Sequence, residues 1–167
     1  MPIELEIGKN DTLHSLSPSE ASQALALLVS ACRRTLWIRV PVLDELTAHS
    51  QVCDAIKALA ISSERVDIRI LYDDQEAAVR DGHRLIHLAR RLPSRIHLRQ
   101  TQPDDRDAQA CHAIGDGTGL LDAQGWPRPA RVHLCAHRLP HAPRLARDFQ
   151  TLWERSSGSP ELRELRL

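Results

Sequence analysis

"VCDAIKALAISSERVDIRILYDD", residues 52–74, changes its hydrophobic period halfway along. Val52, Ile56 and Leu59 recur at the spacing of one helix face, whereas Val66, Ile68 and Ile70 alternate with polar neighbours as a strand does. The two patterns predict a helix over 50–62 and a strand over 65–74. A helix feeding a strand in this way is half of an α/β unit, and the rest of the chain can be read outward from it.

Upstream, "SPSE" at 17–20 is a helix start with a mechanism. Ser17 caps, Pro18 suits the first helical position, and Glu20 completes a capping box. Ala21, Ala24, Leu25, Leu28, Val29 and Cys32 follow at helical spacing, and then "TLWIRVPV" (35–42) reads as a strand. Pro41 cannot donate to a ladder, which suggests that this strand runs out at an edge or a bend. Downstream, a helix within 75–92 stops at Pro93, with Asp81-Gly82 as a break or fresh cap inside it. A strand over 94–100 and a polar loop over 101–107 come next. The remainder reads as a strand turning at "DGTG" (116–119) into a return through Leu120 and Leu121, a strand over 130–137, and a helix over 142–156. Strands joined by helices imply parallel neighbours, and the later hairpins add antiparallel members. The expected fold class is α/β: a mixed, mostly parallel sheet flanked by helices, in a single domain over 1–167 with its core at about 35–156.

Composition narrows the function. Twenty-two basic and 22 acidic residues leave no net charge, so no global field steers the chain toward nucleic acid or an anionic membrane. Of the basic residues only Lys9 and Lys57 are lysines, an arginine bias suggesting a GC-rich bacterial genome. Cys32, Cys53, Cys111 and Cys135 are widely spread without a C-x-x-C pair, as expected of reduced thiols in the cytosol. The start lacks a basic region followed by an apolar run, and no stretch is apolar for long enough to span a bilayer. A soluble, cytoplasmic protein is expected, with no membrane partner.

The order of elements over roughly 35–156 resembles one half of a phospholipase D-like domain. "LWIRVPVL" is similar to the first strand, residues 52–74 to the helix and strand that follow, the strand ending in "GDG" to the catalytic strand, and "FQTLWERS" to the closing helix. It also resembles an uncharacterised bacterial branch of that superfamily, a domain of unknown function. The resemblance implies His-x-Lys-x4-Asp on one strand and its turn: the histidine attacks phosphorus, the lysine neutralises the phosphoryl oxygens, and the aspartate orients the imidazole. With Asp116-Gly117 placed on the family's Asp-Gly, the histidine position holds Gln109 and the lysine position Cys111. With His112 placed on the histidine, Ile114 and Gly119 hold the other two positions. The family's downstream Gly-Ser-x-Asn is replaced by Gly125, Trp126 and Arg128. Neither register supplies a catalyst, so the expected role is a degenerate, non-catalytic domain acting by binding or assembly.

The resemblance further implies a homodimer, since superfamily members with one half-domain pair across the motif face. Chains similar to this one also occur joined to an acetyltransferase domain, so that domain or another protein is an expected partner. The alternative is a phosphodiesterase or related phosphoryl-transfer enzyme using His112, Asp116 and His83; a further alternative is a nucleic-acid-binding module. For the latter, Arg33-Arg34, Arg90-Arg91 and Arg95 offer a basic strip, but no aromatic side chains interleave with it. As a ligand site, Asp73, Asp74, His83, Arg84 and Asp116 are the candidates, because open α/β sheets place ligands at strand ends. His133, Cys135 and His137 share a strand face but stand nearly 7 Å apart by strand rise, too wide for one ion, and no metal or other cofactor is expected.

Overall fold

The computed structural model describes residues 3–74 and 84–158. Strand β1 (Leu13–Leu16) leads through a 3-10 turn (Pro18–Glu20) into α1 (Ala21–Ala31). The Glu20 carboxylate accepts from the Ser17 N–H and Oγ–H at 3.2 and 2.9 Å, so the sequence-predicted start is built as expected. β2 (Thr35–Val42), α2 (Glu45–Ala48), α3 (Ser50–Ser62) and β3 (Asp67–Asp74) follow. After them come α4 (Arg84–Arg91), β4 (Ile96–Gln100), β5 (His112–Gly115), β6 (Gly119–Asp122), β7 (Val132–Cys135), α5 (His141–Arg155) and the two-residue β8 (Ser157–Gly158). No helix among the described residues is long and apolar enough to cross a membrane.

The strands form one mixed sheet in the order β1-β7-β6-β5-β2-β3-β4-β8. Only β2–β3 and β3–β4 pair parallel, and the other neighbours pair antiparallel. The expectation of a mostly parallel sheet is therefore corrected: helical crossovers join only three strands, while the hairpin run β5–β6–β7 and the N-terminal β1 extend the sheet antiparallel. Strand β1 itself is not legible from four residues of mixed polarity. The strand does run out one residue past Pro41, at Val42, but not at an edge, because β2 is central. Pairing with β5 ends at Arg39 and pairing with β3 steps from Val40 to Val42, so the absent proline N–H costs the ladder nothing.

Strand alternation sorts the core into two layers. Leu36, Ile38, Val40, Ile68, Ile70, Tyr72, Ile96 and Leu98 face α1–α4 and form the main core with them. Residues of opposite parity face α5: Trp37, Leu71, Ile114 and Leu120 pack against Ala142, Phe149 and Trp153. The β5–β6 turn follows the "DGTG" reading: Asp116 and Gly117 take φ of 47° and 80°, the left-handed pair of a tight hairpin turn. At Gly115 the requirement is space, since a Cβ there would sit 2.7 Å from the Cys32 Sγ on the α1 side. All four cysteines are buried and free.

Candidate functional site

Arg39 is the single charged residue of β2, and its side chain points to the α5 face, where it is 1% exposed. Its Nη2 ion-pairs with the Asp73 Oδ1 at 2.9 Å, from the neighbouring β3. Nη1 donates to the Val40 carbonyl at 3.0 Å, and Nη2 reaches the Asp105 carbonyl at 3.4 Å. Asp73 accepts two further bonds, from the Thr101 hydroxyl at 2.7 Å and the Asp107 N–H at 3.0 Å. The buried pair thus pins the loop after β4 to the sheet. An ion pair between Arg155 and Asp105 ties the same loop to the end of α5.

Between this loop, the sheet and α5 lies a cleft of about 420 Å³, within the usual range for small-molecule sites. Arg39 and His112 form its floor, Asp105, Asp107, Asp122 and Asp148 stand around it, and Leu145, Phe149 and Leu152 make an apolar wall from successive turns of α5. His112 and Asp122 are register partners across β5 and β6. Burial holds the His112 imidazole well below its ordinary range, down to about 4; Asp122 pulls against it, Arg39 adds to the lowering, and Asp107 and Asp148 oppose it less. The ring is therefore neutral at pH 7.

Cys111 points the other way, into the core shared with α1–α4, as expected for strand neighbours. Burial pushes its thiol up to about 12. Beyond β5 the chain stays paired: the Cys111 carbonyl accepts from Ala123 at 2.8 Å, and the Gln109 carbonyl from Gly125 at 2.9 Å. Trp126 packs against this core, and its Nε1–H donates to the Asp44 Oδ2 at 2.7 Å.

The sequence-predicted site residues do not converge. Asp73 is buried in the ion pair, Asp74 lies exposed at the end of β3, Arg84 is exposed at the start of α4, and His83 lies outside the described residues. Asp116 sits at the opposite end of the sheet, where its N–H bonds to the Thr35 carbonyl. Asp67 is the β3 partner of Thr35, so Asp116 and Asp73 are about six residues apart along the strands, roughly 20 Å. His112 and Asp116, at the two ends of β5, are likewise separated by roughly 13 Å. The structure therefore does not bring Asp116 together with Asp73, or with His112.

Asp116 has a structural task instead: its carboxylate accepts the N–H groups of Arg33, Arg34 and Thr35 at 2.9, 2.8 and 3.0 Å. Asp116→Ala should cost about 2 kcal/mol in urea denaturation, since three donors lose a charged acceptor and alanine must hold a left-handed φ. An unchanged midpoint would show that these bonds contribute nothing net. Sequence reasoning missed Arg39, Asp105, Asp107, Asp122 and Asp148. A lone arginine inside the apolar run "TLWIRVPV" was the available signal for the first, and the four aspartates carried none.

A mixed sheet with helices on both faces is the phospholipase D-like fold, as solved structures show. NucT from Helicobacter pylori is 19% identical with a TM-score of 0.63, over 89% of this chain and 98% of that one. Nuc from Salmonella typhimurium, a phospholipase D family member, is 13% identical with a TM-score of 0.63, over 89% and 97%. TrmBL2, an archaeal chromatin protein with a novel mode of DNA binding, is 15% identical with a TM-score of 0.66, over 94% of this chain and 57% of that one. No curated protein matches the chain. Residues 17–165 match the family model of the domain of unknown function DUF7931, and the chain belongs to that family.

Proposed function

We propose that this chain is a phospholipase D-like domain without phosphoryl-transfer activity, and that it acts by binding through the cleft beneath α5. The observation that carries this reading is the chemistry at the catalytic register. Gln109 has no nucleophilic nitrogen, and Cys111 is a neutral thiol turned into the core, unable to replace an ammonium facing phosphate. His112 is the histidine of that strand, and it faces the opposite side of the sheet among carboxylates that repel a phosphodiester. Losing a nucleophile and a charge clamp together removes on the order of 4–8 kcal/mol of transition-state stabilisation, which leaves no useful turnover.

A chromogenic phosphodiester such as bis(p-nitrophenyl) phosphate is therefore expected to hydrolyse at the buffer rate in the presence of the full chain. Turnover well above the blank that disappears in His112→Ala would overturn the reading and restore the phosphodiesterase alternative. Assembly as a homodimer fits the same proposal. The outer edge of β1 pairs with no other described strand, and covering such an edge is a common reason for two copies to meet.

A further inference from the structure

Taking the cleft beneath α5 as a binding site, we infer that it selects an organic cation, a protonated amine or guanidinium carried on an apolar body, and rejects anions. The charge balance of the walls leads there. Arg39, the cation on the floor, is neutralised by Asp73, and Arg155 at the rim is paired with Asp105. Asp107, Asp122 and Asp148 form no ion pair with a described cation, so the cleft presents three uncompensated carboxylates. Asp107 and Asp122 each spend one oxygen on a nearby backbone N–H, of Gln109 and Gln124, and keep the other for a ligand.

Two independent features belong to a ligand rather than to solvated acids. The first is His112: its ring is partly buried and opens onto the cavity, and it has no hydrogen-bond partner among the described residues. As a neutral imidazole it offers a lone pair that an ammonium or guanidinium N–H can fill, next to its register partner Asp122. The second is the opposite wall. Leu145 and Leu152 present apolar surface that suits a hydrocarbon body, backed by Phe149, which is buried in a stack with Trp37 and Trp153. No three His, Cys, Asp or Glu side chains among the described residues are placed to hold one metal ion, which favours a monovalent organic cation over a divalent metal.

The test uses three probes of matched size and different charge on the full chain: benzylamine, benzyl alcohol and benzoate. Binding is followed by calorimetry and by NMR of the His112 ring and Phe149. Benzylamine is expected to bind at least tenfold more tightly than the alcohol and to weaken with added salt, while benzoate leaves both signals unmoved. Asp122→Asn/Asp148→Asn, which keeps side-chain shape at partly and fully exposed positions, should remove the tenfold preference. If alcohol or benzoate matches benzylamine at His112 and Phe149, the cleft binds ligands but the cation inference is overturned. If no probe moves either signal, both the inference and the cleft as a binding site fall. The absence of catalysis stands or falls separately, on the phosphodiester assay.

Discussion

Arg39→Met is expected to destabilise the protein by about 3–5 kcal/mol, the usual cost of stripping one partner from a buried ion pair. Arg39 and Asp73 are 1% and 5% exposed, so neither charge can recover solvation from water. Methionine fills much of the arginine volume, which isolates the electrostatic loss from a cavity effect. Asp73 would keep the Thr101 hydroxyl and the Asp107 N–H but lose the charge that justifies its own burial. The double variant Arg39→Met/Asp73→Asn should therefore be less destabilised than the two single variants summed, by about 2 kcal/mol in a double-mutant cycle. Urea denaturation of the four proteins measures this. Hydrogen exchange should also quicken over 101–107, because that loop is held to the sheet through Asp73 and the Asp105 carbonyl. Additive single variants would show that the two side chains do not act as a pair.

Acid should weaken the fold through His112, by up to about 3 kcal/mol. The folded imidazole titrates at about 4 against an ordinary 6.5, a gap worth about 1.4 kcal/mol per unit. The sign follows from linkage: between these values the unfolded chain binds a proton that the folded chain does not, so stability is full above pH 6.5 and is lost as pH falls toward 4. Burial is the main cause, and it outweighs the nearby carboxylates that favour the charged ring. Carboxylates titrate at the lower end of the same window, so wild type must be compared with His112→Asn, which has no such proton to gain. The variant's stability should fall less between pH 7 and pH 4.5. Parallel curves would mean that the ring is solvated well enough to protonate in place.

The main-core residues of β2, β3 and β4 were legible before any coordinates, because strand alternation is a local property of a half-buried ladder. The same locality made the Ser17–Glu20 start, the "DG" turn and the opposed directions of Cys111 and His112 readable. It equally made the absence of a His-x-Lys-x4-Asp run readable, since a motif confined to one strand can be checked residue by residue. The sheet's pairing could not be read in this way. Helices before each strand suggested parallel neighbours, but β1 pairs with β7 across more than a hundred residues, and such a contact leaves no periodic trace in a four-residue strand.

The cleft was the least legible part. Asp73 looked like a strand-end ligand because its partner, Arg39, sits 34 residues earlier as the lone charge in an otherwise apolar strand. Asp107, Asp122 and Asp148 come from a loop, a strand and a helix, and only the closing of α5 over the sheet gathers them beside His112. Sequence by itself determined the α/β class, the parity of the core and the absence of a His-x-Lys-x4-Asp motif, because these rest on spacing between near neighbours. Tertiary structure alone decided the strand order, the pairing of Arg39 with Asp73 and the charge of the cleft, because electrostatics depends on distance through space and not along the chain.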